Sequence, residues 1–231
     1  TSRPLRIDVE CPLMSLPAAL GIQLSDLPGR VPYLTAPAPS PELLQAAAAL
    51  VPGRRVGIVW AGAALHSSDR ERSIPVKHFL GLQTVDDTAL IGLQKGEGAK
   101  ALGALEKGDR LTDWSRLLKD FADTAAAIKM LDLVITADTA VAHLAGALGV
   151  PVWILLSFAG EWRWLQGRED SPWYPSARLF RQLRPGDWEE VFARVRDALI
   201  ALPRGSSRQA QPIVAGSVLP IATRPTSTAE A

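Results

Sequence analysis

Leu133–Leu155 reads LVITADTAVAHLAGALGVPVWIL, and that stretch decides the fold. It parses as strand, tight turn, helix, tight turn, strand, with strands at Leu133–Thr136 and Val152–Leu155 around a helix at Thr139–Leu148. At about 100° per residue, Val141, Leu144, Ala145 and Leu148 form an apolar stripe that packs on the sheet. Thr139, His143 and Gly146 form the opposite, outward stripe, and Thr139 and His143, four apart, share a face. Asp138 and Thr139 stand where the first strand ends and the helix begins. The first turn of a helix carries unpaired N–H groups and a partial positive charge, so a phosphate fits there without a full counter-charge. Asp138 also suits an N-cap, and a single His also suits a surface position. The strand-end location of the whole group is what points to a ligand.

The same rhythm continues outward. Val56–Trp60, Ala89–Leu93, Arg110–Thr112 and Arg178–Arg181 read as strands. Val76–Leu82, Glu97–Leu105 and Asp123–Leu131, the last capped by Asp123, read as helices. Asp187 opens a final helix with Glu190 three residues on, a capping-box pattern. Its buried face is Trp188, Val191, Phe192, Val195 and Leu199, and Pro203 ends it. This alternation predicts an α/β fold: a mostly parallel, Rossmann-like sheet with flanking helices and right-handed crossovers. Upstream, Ile7–Val9 reads as a short strand, Pro12–Leu20 as a turn or short helix, and Val31–Leu34 as extended chain. Thr35–Pro41 reads as a linker and Glu42–Leu50 as a helix. Residues 204–231 are rich in Ser, Thr, Pro and Ala without periodicity, and disorder is expected there.

Composition removes several function classes. The chain has 231 residues, 47% of them hydrophobic, enough for a sizeable core. Its 25 basic and 24 acidic residues leave a net charge of +1 with no basic stripe, which argues against a nucleic-acid partner. Cys11 is the only cysteine, so no internal disulfide forms, and a reducing, cytoplasmic setting is expected. The strongest apolar run, Val152–Leu156, is too short to span a bilayer. Paired carboxylates, a nucleophile elbow, a phosphate-loop Gly-Lys-Ser/Thr and zinc-ligand spacing are all missing, and no metal site is expected.

Other strand ends add candidates. Trp60-Ala61-Gly62 leaves the first strand through small residues, and Gly62 lets a ligand approach the backbone. Arg70 and Arg72, in SSDRERS, suit either a phosphate clamp or a solvated loop, and Arg72 stands just before Ser73-Ile74-Pro75. At the second strand's exit, Lys95 suits charge neutralisation of a diphosphate and Gln94 contact with a ribose or base. Trp162 and Trp164, with Trp173-Tyr174 beyond, suit stacking on a base or sugar, or packing under the last helix.

The motif Asp138, Thr139, Ala140, His143, Leu144, Ala145, followed by Gly149 and Pro151, resembles the Asp-Thr-Gly-x-x-His-Leu-Ala signature of family 9 glycosyltransferases, the heptosyltransferase-like enzymes. Ala140 replaces the signature's glycine. RVGIVWAG, DRERSIP, GLQKGEG, DFADTAA and WRWLQGREDSPWYP extend the likeness over roughly Asp8–Leu202, toward a bacterial subgroup fused to tetratricopeptide repeats. The resemblance implies the second domain of a two-domain GT-B enzyme, which binds a nucleotide diphosphate sugar for transfer to a hydroxyl of a glycan or protein. It implies that residues 1–35 are the remnant of the N-terminal domain, 36–53 a linker and helix, and 54–203 the donor-binding domain of an excerpt from a longer protein. Donor contacts then fall on Asp138, Thr139, Ala140, His143, Gln94, Lys95, Arg72 and Gly62. A general base comes from the first domain, so no catalytic residue is assigned here. No cofactor or metal is required if these cations and the helix dipole supply the charge. Two alternatives accompany this reading: a non-catalytic nucleotide-sugar-binding or scaffold module beside repeats, and a protein O-glycosyltransferase.

Overall fold

A computed structural model describes residues 8–27, 30–62, 72–106 and 108–203. Six strands form one sheet: β1 (Arg54–Val59), β2 (Thr88–Gly92), β3 (Leu111–Asp113), β4 (Leu133–Ala137), β5 (Val152–Leu156) and β6 (Ala177–Arg181). All neighbours pair in parallel in the order β3-β2-β1-β4-β5-β6. Of the described helices, α1 (Leu16–Ala19) and α2 (Pro41–Ala48) precede the sheet. The others are α3 (Val76–Leu80), α4 (Phe121–Lys129), α5 (Ala140–Ala147) and α6 (Trp188–Ala201).

The four central strands, β2, β1, β4 and β5, are buried on both faces, as helix-covered parallel strands must be, and the alternation of side chains sorts the sheet into two cores. Val56, Ile58, Leu133, Ile135, Trp153, Leu155 and Phe180 face α3 and α6. Val59, Ile91, Val134, Val152, Ile154 and Leu156 face α2, α4 and α5. The five predicted apolar residues of α6 are all buried. Phe192 meets Phe79 of α3 edge-on at 4.9 Å. Arg54, itself buried, donates to the carbonyls of Leu199 (3.1 Å), Leu202 (3.2 Å) and Pro203 (2.8 Å). A guanidinium thus satisfies the orphan carbonyls at the α6 C-terminus and fastens that end to the start of β1.

Several local expectations change. α4 begins at Phe121 and its cap is Asp120, which accepts the Asp123 N–H at 2.9 Å. Asp123 returns the favour to the Lys119 N–H at 2.9 Å, so the acid expected as the cap is the third residue of the helix. At α6 only half of the capping box forms. Asp187 accepts the Glu190 N–H at 3.1 Å, while the Glu190 carboxylate pairs with Arg194 one turn on. Where a helix is expected over Glu97–Leu105, Gly96–Ala104 forms a 3-10 helix; its three glycines weaken the α form. Asp8 and Val9 lie in no strand, and Ile7 is outside the described residues, as are Arg70 and 204–231. Among the described residues, no helix is long and apolar enough to cross a membrane.

Candidate functional site

The order in which successive strands are added reverses between β1 and β4. From β1 the chain crosses through α3 on one face, and from β4 it crosses through α5 on the other. The crevice at the carboxyl ends of those two strands is the topological switch point, where open α/β sheets bind ligands. Trp60-Ala61-Gly62 forms one lip and Asp138-Thr139-Ala140 the other.

Thr139 is the residue before α5, extended at φ −138°, ψ 170°, and among the described residues no side chain caps the helix. The Thr139 hydroxyl lies 3.1 Å from the Thr136 hydroxyl. Thr136 is buried on β4 and donates to the Ala137 carbonyl at 2.8 Å. Ala140, in the first turn, is exposed, so its methyl group displaces no packed neighbour. The result is a dipole end whose amides no side chain of the described residues covers at the switch point.

The face of α5 that carries His143 is not open to solvent as expected. Tyr174 covers it. A Cβ on Gly146 would collide with the Tyr174 ring, so the glycine is what lets an aromatic residue lie flat on the helix. The Tyr174 hydroxyl sits 3.0 Å from His143 Nδ1. Trp164 stacks on the His143 imidazole, centroids 5.1 Å apart and planes at 19°. Trp164 is 0% exposed, so its ring packs the site and has no free face for a base or sugar. Trp162 is 54% exposed, with the Arg163 guanidinium 4.5 Å from its ring centre, and keeps a face toward solvent. The stripe facing the sheet is also shifted. Ala142 and Ala145 are fully buried, whereas Val141 and Leu144 are only partly so. Burial lowers the His143 pKa below the ordinary histidine range, against the pull of Asp138.

The β2 exit does two different jobs. Gln94 is 2% exposed and its amide is fully engaged. Its oxygen accepts the Trp60 and Ala61 N–H groups, each at 2.9 Å, and its nitrogen donates to the Ala61 (3.0 Å) and Lys95 (2.8 Å) carbonyls. With the Trp60 indole donating to the Gly98 carbonyl at 3.0 Å, this amide holds the β1 lip in shape. Lys95 is exposed and its ammonium donates to the Ser115 carbonyl at 2.8 Å, toward the β3 side and away from the β1–β4 crevice. Arg72 is partly buried, two residues before Ile74, whose N–H donates to the Trp60 carbonyl at 2.8 Å. That bond brings the Arg72 segment to the β1 exit, where Gly62 also lies.

One residue near the crevice went unnoticed in the sequence. Arg181 closes β6, half-buried, and donates to the Leu165 carbonyl at 2.5 Å. Its Nη1 is buried without a hydrogen-bond partner among the described residues, against Gly160, where φ is +59° and a Cβ would collide with it. Dehydration lowers the Arg181 pKa while the negative charge of Asp138 opposes that shift. A glycine at a positive φ just after β5 was the available signal.

No family model matches the chain. Protein FlbA of Caulobacter vibrioides is 31% identical over 154 residues, 65% of this chain and 26% of FlbA. The chain therefore spans about a quarter of that relative's length. E. coli ADP-heptose LPS heptosyltransferase II superposes with a TM-score of 0.53 at 17% identity, over 76% of this chain and 56% of that one. A family 9 glycosyl transferase of Veillonella parvula matches more loosely, with a TM-score of 0.45 at 16% identity over 67% of this chain and 42% of its own. At these identities the likeness is one of architecture: the parallel, helix-flanked sheet is the α/β fold of GT-B glycosyltransferase neighbours, over little more than half of the heptosyltransferase II chain.

Proposed function

We propose that residues 54–203 form the donor-binding domain of a family 9-type glycosyltransferase, taking a nucleotide diphosphate sugar whose sugar passes to a hydroxyl acceptor. One observation carries this reading: the α5 N-terminus lies at the switch point of the sheet, uncapped by any side chain of the described residues. The shared fold with heptosyltransferase II and the Asp138-Thr139-x-x-x-His143 motif point the same way.

In the transfer, the bond from the sugar's anomeric carbon to the diphosphate oxygen breaks and negative charge grows on the departing diphosphate. Fixed donors aimed at that charge lower the barrier. The α5 amides and His143 supply such donors, and Arg181 offsets the Asp138 charge that otherwise repels the phosphates. Arg72 approaches from the β1 lip. Lys95 joins only by leaving the Ser115 carbonyl, a modest cost for an exposed side chain. The dipole and these cations neutralise the diphosphate without a metal. The base that activates the acceptor hydroxyl is supplied from outside residues 54–203, by the N-terminal domain of the longer protein.

Calorimetric titration with ADP, UDP and GDP, in the presence of a chelator, tests this. Binding of at least one, weakened in His143→Ala, is expected. A folded chain that binds none of the three contradicts the proposal. Binding in the full-length protein without sugar transfer to any hydroxyl acceptor would replace transfer by a non-catalytic nucleotide-sugar-binding role.

A further inference from the structure

Tyr174 has a part that the diphosphate reading leaves unassigned. It is 7% exposed, pressed flat on Gly146, and its hydroxyl reaches His143 Nδ1 at 3.0 Å. The Tyr33 hydroxyl is 3.5 Å away on the other side. Tyr33 arrives with its segment, whose Tyr33 and Leu34 N–H groups meet the Ala147 carbonyl at the end of α5 at 3.0 and 3.3 Å. The His143 ring is clamped on its face by Trp164 and at Nδ1 by Tyr174. His143 Nε2 forms no hydrogen bond among the described residues.

We propose that Tyr174 is a positioning residue that donates its hydroxyl proton to His143 Nδ1 and so holds the imidazole in the tautomer with Nε2–H as its donor. The inference rests on the proposed function for its purpose, since a diphosphate oxygen needs a donor and not a lone pair. The direction of the bond follows from chemistry. A neutral imidazole nitrogen is a better acceptor than a phenol oxygen, and a phenol O–H is a better donor than a neutral imidazole N–H. The opposite arrangement, Nδ1–H to the tyrosine oxygen, leaves Nε2 as a lone pair that repels an anion. The titration shifts agree. Burial raises the Tyr174 pKa and keeps the phenol protonated, while burial lowers that of His143 and keeps the ring neutral. The other charged groups acting on the ring are Asp138 from the β4–α5 turn and Glu161 and Arg163 from the segment after β5.

Nitrogen NMR of the whole chain at neutral pH reads the tautomer directly. The chain has 3 histidines, and the His143 signals are those lost in His143→Gln. In the wild type, Nε2 is expected to be protonated and Nδ1 unprotonated, with the upfield displacement of a nitrogen that accepts a hydrogen bond. Tyr174→Phe keeps the ring on Gly146 and is expected to remove that displacement. Tyr33→Phe is expected to leave it in place. Nucleoside diphosphate affinity is expected to fall about tenfold in Tyr174→Phe, the size of one hydrogen bond. Adding Tyr174→Phe to His143→Ala is expected to cost nothing more. Nδ1–H in the wild type, or an Nδ1 signal unchanged by Tyr174→Phe, overturns the proposal. The wild-type spectrum needs no variant and no ligand. A wild-type chain that binds no nucleoside diphosphate counts against the proposed function and leaves the hydrogen-bond direction to be decided by the spectrum.

Discussion

α4 and α5 lie side by side on one face of the sheet and begin in opposite ways. Asp120 caps α4, Asp123 reaches back to the Lys119 N–H, and the Thr124 hydroxyl donates to the Asp120 carbonyl at 2.8 Å. At α5 the residue in the same place, Thr139, has its hydroxyl against Thr136, and no side chain of the described residues covers the amides. Among the described α-helices of eight residues or more, α2, α4 and α6 are each capped by a side chain, from Ser40, Asp120 and Asp187 respectively; α5 is the exception. A missing cap costs roughly 1 kcal/mol. That cost falls at a helix start that faces the β1–β4 crevice, where a ligand's oxygens could take the cap's place.

The contrast can be broken most forcefully at Gly146. Gly146→Ala drives a methyl group into the Tyr174 ring and is expected to destabilise the chain by about 1–3 kcal/mol, as overpacking does. Urea unfolding measures the loss, and nucleotide binding is expected to fall with it because His143 loses its support. His143→Ala comes next. It is expected to weaken nucleoside diphosphate binding by about 1–3 kcal/mol, the range for charged hydrogen bonds.

Asp120→Ala and Thr139→Asp then sharpen the comparison from its two ends. Asp120→Ala is expected to cost about 1 kcal/mol of stability without changing nucleotide affinity. Thr139→Asp gives α5 the cap it lacks. It is expected to raise stability by a few tenths to about 1 kcal/mol and to weaken diphosphate binding, since a carboxylate then occupies the amides. Lys95→Ala is expected to have the smallest effect of the binding variants, below about threefold, since its ammonium is held on the β3 side.

pH dependence gives a separate check. His143 titrates lower in the folded chain than the ordinary value near 6.5 of the unfolded one, because of its burial. The unfolded chain therefore binds more protons in that range, and stability rises with pH. The contribution is complete above the unfolded value and is lost as pH falls through the folded one. His78 is shifted in the same direction by burial and contributes a slope of the same sign. His143→Gln should make the acid-side loss of stability shallower without abolishing it, as followed by melting temperature between pH 7 and 5.

The strands and the buried face of α6 follow from patterns confined to short windows. Val56 and Ile58 alternate with Val59's face, and Trp188, Val191, Phe192, Val195 and Leu199 repeat at helical spacing, so local periodicity identifies what is buried. The strand ends that build the crevice were legible for the same reason. The details of the site were not, because they depend on partners far away in sequence. Gln94 looks like a free polar residue at a strand end until Trp60 and Ala61 take both positions on its oxygen. Trp164 looks like a loop aromatic until His143 fills its face. The glycine at position 146 was visible on the polar stripe, yet only Tyr174, from the stretch before β6, explains why nothing larger stands there.

The central claim is that α5 lacks a cap so that an anion can take its place. Calorimetric titration of ADP, UDP and GDP into the wild type and Thr139→Asp, with melting temperatures of both, tests it most directly. The account predicts that the wild type binds at least one nucleoside diphosphate without added metal, and that Thr139→Asp melts higher while binding it more weakly. Equal binding by the two proteins, with the variant folded and more stable, would contradict it.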